Sequence, residues 1–145
     1  MSSKPRKYVK KPFESTGIRS DVSANIYESM ILSPAWKSLS PKQKELYLAC
    51  KLQYYSEKHK PKPEDKLTNE AYFTMNRAKY VKKYELYKDN NRAAFHRDMN
   101  ALIDKGFIDL VQSGKTNRTK SIYAFSSRWQ DYTPNEETKK LLAYG

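Results

Sequence analysis

Residues 82–129 read KKYELYKDNNRAAFHRDMNALIDKGFIDLVQSGKTNRTKSIYAFSSRW. Asp89, Asn90 and Asn91 compete as the cap of a helix predicted from about Arg92 to Lys105. Phe95, Met99, Leu102 and Ile103 recur at i, i+4, i+7 and i+8 and give that helix one apolar stripe. Gly106 is a natural left-handed stop. Phe107 to Val111 then alternates as a strand, Ser113-Gly114 and Asn117 mark a turn, and Ser121 to Phe125 is the returning strand. A second short helix, capped by Asn76 and running through Tyr84, precedes the long one, with Ala78, Val81 and Leu86 on its inner face.

Working outward, Ser40-Pro41-Lys42-Gln43 is a strong helix start. Ser40 caps, Pro41 suits the first helical position and Gln43 completes a capping box. The spacing predicts a helix to about Lys58, with Leu48, Leu52, Tyr55 and Ala49 on one face, widened by Leu46 and Cys50. Residues 59–65, His-Lys-Pro-Lys-Pro-Glu-Asp, cannot all be helical and form a loop. Between Leu67 and Met75, Thr68 or Asn69 caps a turn of helix, and Tyr72-Phe73 is buried. From Ser23 to Ser33 a short strand or helix ends at Pro34, and Trp36 and Leu39 anchor the core.

The order short helix, turn, longer basic helix, glycine stop, hairpin is the plan of a winged helix-turn-helix. The expected fold is therefore α+β, mostly helical: a single winged helix-turn-helix domain with a C-terminal β-hairpin wing. Residues 1–22 form a flexible basic arm, 23–132 the domain, and 133–145 a tail with a short helix from Glu136 to Ala143. The arm carries Lys4, Arg6, Lys7, Lys10 and Lys11 without an acid before Pro12. It either lies along phosphates or is a solvated tail.

The 145 residues suffice for one domain with a real core, and 12 Tyr, 5 Phe and 2 Trp add bulk to a chain only 38% hydrophobic. The net charge of +12, from 28 Lys+Arg against 16 Asp+Glu, points to polyanions, nucleic acid ahead of acidic membrane. Cys50 is the only cysteine, so no intrachain disulfide forms, and it reads as a small buried hydrophobe. No apolar run approaches the ~20 residues of a membrane span, and no signal-peptide core is present. The protein is expected to be cytoplasmic, with no membrane partner.

At ~100° per residue, the side of the Arg92–Lys105 helix opposite the apolar stripe carries Asn90, Ala93, Arg97, Ala101 and Asp104. His96 and Asn100 flank it, and Asn91 and Arg92 project from its amino end. Arg can bond guanine O6 and N7, and Asn adenine N6 and N7, while Ala93, Ala94 and Ala101 permit close approach to a major groove. Arg97→Ala is expected to relax base preference. In the hairpin tip, Lys115, Asn117, Arg118 and Lys120 suit phosphate or minor-groove contacts. Lys79, Lys82, Lys83 and Lys88 bracket the turn before the long helix and add sequence-independent affinity. Each of these sets has a plainer alternative, a solvated polar face. Catalysis finds no support: His59 and His96 are isolated, no second cysteine suggests zinc, and no glycine loop could cradle a phosphate. No catalytic residue, metal or cofactor is expected.

AAFHRDMNALIDKGFIDLV, followed by GKTNRTKSIYAFSSRW and preceded by LSPKQKELYLACKL, resembles winged-helix proteins of plasmids and integrative conjugative elements of Gram-positive bacteria. It is also similar to the N-terminal DNA-binding domain of plasmid replication initiators. The resemblance covers about Ala24 to Tyr132. It implies base reading by Asn91, Arg92, His96 and Arg97, and backbone contact by Lys115, Arg118 and Lys120. Those initiators are longer and carry further domains, so an accessory or regulatory role is implied.

The expectation is a protein that binds a specific double-stranded DNA site and acts by occupancy in transcription, replication or conjugation. Its partners would be a second copy of itself, through Leu141, Leu142 and Tyr144, and replication or transfer proteins. One alternative is a winged-helix protein-interaction module with weak non-specific nucleic-acid binding. Another is a single-strand or RNA binder that stacks bases on exposed Tyr54, Tyr55 or Tyr80.

Overall fold

A computed structural model describes residues 11–18, 21–56, 72–75, 83–88, 91–114 and 121–134. A 3-10 turn at Pro12–Glu14 is followed by α1 (Glu28–Ile31), α2 (Pro34–Lys37) and α3 (Pro41–Ser56). Then come β1 (Tyr72–Thr74), α4 (Arg92–Asp104), β2 (Ile108–Gln112), β3 (Ile122–Phe125) and a 3-10 turn at Arg128–Asp131. Lys83 and Tyr84 are also helical. The fold is α+β, with an antiparallel sheet in the order β1-β3-β2.

Local chemistry sets the helix boundaries. The Ser33 hydroxyl accepts from the Trp36 amide at 3.2 Å and donates to the Met30 carbonyl at 2.6 Å, so one side chain ends α1 and starts α2. The expected capping box forms at the start of α3. The Gln43 amide donates to Ser40 Oγ at 3.2 Å, and the Ser40 amide donates to Gln43 Oε1 at 3.0 Å. Of the competing caps for α4, Asn91 is seen in place, its side chain accepting from the Ala94 amide at 3.2 Å. Asp89 and Asn90 lie outside the described residues.

The carboxyl end of α4 is a Schellman closure. The Phe107 amide donates to the Leu102 carbonyl at 2.9 Å, and the Gly106 amide to the Ile103 carbonyl at 3.1 Å. Gly106 sits at φ 88°, in the left-handed region. A Cβ there would stand 2.5 Å from the Trp129 nitrogen. Both the dihedral and the crowding therefore require glycine.

The core is one cluster in which α2, α3, α4 and the sheet meet. Tyr47 lies edge-on to Trp36 and Phe125, at 5.9 Å from each, and 5.3 Å from Phe107. Phe73 of β1 stacks on Phe125 of β3 at 4.5 Å. Trp36, Leu39, Phe95, Met99 and Leu102 are buried and Ile103 is half-buried, in keeping with the sequence reading.

Two expectations are corrected. The face of α3 centred on Leu48, Leu52 and Tyr55 is not the deepest one: Leu46, Tyr47, Ala49, Cys50 and Gln53 are buried, and Tyr55 is exposed. Apolar residues ring this helix, so no single stripe stands out, and the aromatic cluster captures Tyr47. Leu48 and Leu52 instead line a shallow groove with Tyr84 and Leu86. Secondly, the segment expected to make a helical turn contains β1, whose Tyr72, Phe73 and Thr74 pair with Ala124, Tyr123 and Ile122. Tyr72 and Phe73 are buried as expected. The loop of 59–65, the tail helix and most of the basic arm lie outside the described residues.

The hairpin from β2 to β3 pairs Ile108 with Phe125 and Leu110 with Tyr123, with an irregularity between Leu110 and Gln112. The Gly114 amide donates to Ser121 Oγ at 3.0 Å, closing the base of the loop. Among the described residues no helix is long and apolar enough to cross a membrane.

Candidate nucleic-acid interface

Helix α4 buries one side and exposes the other. Ala94, Phe95, Asp98, Met99 and Leu102 face inward; Arg92, Ala93, His96, Arg97 and Asn100 are exposed. The outer face thus carries most of the side chains expected there. Ala94 is a correction: it is buried and supports packing, so it is not on the outer face; Ala93 is exposed and Ala101 half-buried. Asn91 is exposed, but its side-chain oxygen is occupied by the cap. His96 leans edge-on against Phe95 at 5.4 Å.

Asp98 was not anticipated. It is 2% exposed, yet three groups meet it. Gln43 Nε2 donates to Oδ1 at 3.1 Å, and the Tyr87 hydroxyl donates to Oδ2 at 2.7 Å. Arg97 Nε stands 3.5 Å from Oδ1, its own side chain 73% exposed. A buried carboxylate is tolerated only with such partners. The signal was present in the sequence: positions 95, 98, 99 and 102 form one face, and an aspartate on an apolar stripe demands donors from elsewhere.

Gln43 is therefore doubly used. Its oxygen caps α3 and its amide nitrogen reaches α4, which locks the start of one helix to the middle of the other. The turn before α4 joins the same network. Glu85 takes φ 54°, after which Leu86 is buried and Tyr87 half-buried. Lys42 Nζ donates to the Leu86 carbonyl at 2.6 Å and sits 5.5 Å over the Tyr87 ring. Burial, then the bond to Asp98, pushes the Tyr87 phenol well above its ordinary value, so it remains a donor.

Lys83 and Lys88 are exposed beside this turn. Lys79, Lys82 and Asn90, and the hairpin-tip residues Lys115, Asn117, Arg118 and Lys120, lie outside the described residues, as do Leu141, Leu142 and Tyr144. Of the tyrosines considered for base stacking, Tyr55 is exposed, Tyr54 is half-buried and packs edge-on to Phe125 at 5.4 Å, and Tyr80 is outside the described residues.

Arg128 braces the far end of α4. Its guanidinium donates to the carbonyls of Ile103 and Ile108 at 3.0 and 3.1 Å and pairs with Asp109. Lys105 Nζ donates to the Ser38 carbonyl at 2.9 Å. The helix is thus fixed at its cap, its middle and its end, with its polar face outward.

No protein-family model matches the chain, and no curated protein or solved structure matches it.

Proposed function

We propose that the chain is a winged helix-turn-helix protein that binds a specific site on double-stranded DNA. The observation that carries this reading is the rigidly held α4, which turns Arg92, Ala93, His96, Arg97 and Asn100 outward while its other side is core. The succession α3, β1, α4, β2, β3 with strand order β1-β3-β2 supports it, because a hairpin directly after the long helix is the order that a wing takes. The charge of +12 supplies sequence-independent attraction. Lys82, Lys83 and Lys88, with Lys115, Asn117, Arg118 and Lys120 of the wing tip, contact the backbone.

The chain acts in the cytoplasm by occupying its site, as a transcriptional regulator or as an accessory factor in replication or conjugation. Its setting on a mobile element rests on the resemblance of residues 24–132. It is a binding protein rather than an enzyme, requires no cofactor, and functions as a homodimer, since one helix and one wing cover a half-site. Replication or transfer proteins are its further partners.

A second reading, a protein-interaction module, is favoured by exposed Tyr27, Ile31 and Leu32 on and beside α1. Selection from a library of random duplexes at near-physiological salt separates the two. The DNA reading expects one enriched motif, most tellingly a repeated half-site. Absence of retention would put the protein partner first.

A further inference from the structure

The start of α3, residues 86–88 and the first turns of α4 border an open cavity of about 400 Å³. Lys42, Lys88 and Arg97 line it from these three segments, with Tyr87, Asn91 and Asp98. We infer that this cavity is a seat for a phosphate group; its assignment to a backbone phosphate of the duplex rests on the DNA-binding reading.

Three features carry the inference. The cations converge from separate parts of the chain, which distinguishes them from a charged run on one solvated face. Lys42 is held in place by the Leu86 carbonyl and the Tyr87 ring, and an ammonium has three donors, so others remain for an anion. Among the described residues the one lining carboxylate is Asp98, with Oδ1 engaged by Gln43 and Arg97 and Oδ2 by Tyr87. It organises the cavity wall rather than offering a cation site. The amino end of α4 opens on the same cavity at Asn91, adding the positive end of a helix dipole.

Lys42 thereby becomes a DNA-contacting residue that the sequence did not suggest. Arg97 stands at the same wall, tethered to Asp98, which favours phosphate over base edge for its guanidinium.

The experiment uses the full chain, labelled with ¹⁵N, titrated with inorganic phosphate and then with duplex. Lys42→Ala and Lys88→Ala are compared with Lys37→Ala, an exposed lysine away from the cavity. Saturable shifts at Lys42, Tyr87, Lys88 and Asn91 are expected. Lys42→Ala is expected to weaken phosphate and every duplex alike, roughly tenfold. It should also lower the slope of log affinity against log salt by about one. Lys88→Ala acts in the same direction from a different segment, and Lys37→Ala has no effect. Unmoved cavity resonances, or a Lys42→Ala protein that behaves as Lys37→Ala, overturn the seat even if a duplex site is bound. Saturable phosphate binding without duplex retention supports the seat, assigns its phosphate to a free ester, and removes the DNA reading instead.

Discussion

The Trp129 amide donates to the Gly106 carbonyl at 3.0 Å, laying the chain after β3 across the turn that ends α4. The ring of Trp129 lies parallel to that of Phe107 at 6.2 Å, so the contact extends from backbone to core. Helix α4 and the returning strand of the hairpin are thereby held in one unit, with Arg128 bonded to both sides of the turn.

Gly106→Ala should break this junction. Alanine at φ 88° is strained, and its Cβ would meet the Arg128 and Trp129 backbones at 2.6 and 2.5 Å. A loss of roughly 3 kcal/mol in urea unfolding is expected. An unchanged midpoint would show that the turn can open without loss.

Gln43→Glu offers a sharper case. Glutamate is a normal capping-box residue and on an isolated helix would be neutral or favourable. Here its second oxygen would face the buried Asp98 carboxylate in place of the amide donor. A destabilisation of about 2 kcal/mol is expected in urea unfolding at neutral pH. Equal stability of the two proteins at neutral pH would remove the Gln43–Asp98 link from the account.

Asp98→Ala leaves the Tyr87 hydroxyl and the Gln43 amide without their acceptor. It should lower stability by about 2–4 kcal/mol, and Tyr87→Phe should be less harmful in that background than in the parent. Strictly additive effects in thermal unfolding would mean that the two side chains are not coupled.

Stability should fall in alkali. Burial raises the Tyr47 and Tyr87 phenols above their ordinary 10.0 and the Cys50 thiol above 9.0. Above those values the unfolded chain has released protons that the folded one retains, so stability present below about pH 9 is lost as the pH rises further. Lys51 and Lys105, lowered by burial, work in the opposite direction. The urea midpoint should stay level to about pH 9 and then drop, and the drop should be smaller in Tyr87→Phe. A level midpoint through about pH 11 would contradict this.

What could be read in the sequence was local. The stripe of α4, a cap for it among residues 89–91, the Gly106 stop and the Ser40–Gln43 box each depend on residues within a turn or two of one another, and each forms, with Asn91 as the cap. β1 could not be read that way, because Tyr72-Phe73-Thr74 becomes a strand only by pairing with residues 122–124. The buried face of α3 was hidden for a related reason: only the packed sheet and α2 decide between its apolar sides. At the candidate interface, the outward side chains of α4 were legible from period alone. The Lys42–Tyr87–Asp98 assembly was not, since its members come from three segments brought together by the fold. Asp98 on an apolar stripe was the one local clue to it.

Base reading by the outer face of α4 is what the proposed function requires. It is tested most directly by measuring Arg92→Ala on the duplex motif selected from the random library and on an unrelated duplex, at one salt concentration. A drop in the specific affinity by about 1–3 kcal/mol, with little change on the unrelated duplex, is the predicted result. Equal losses on both duplexes would contradict it and leave α4 as a phosphate-binding helix only.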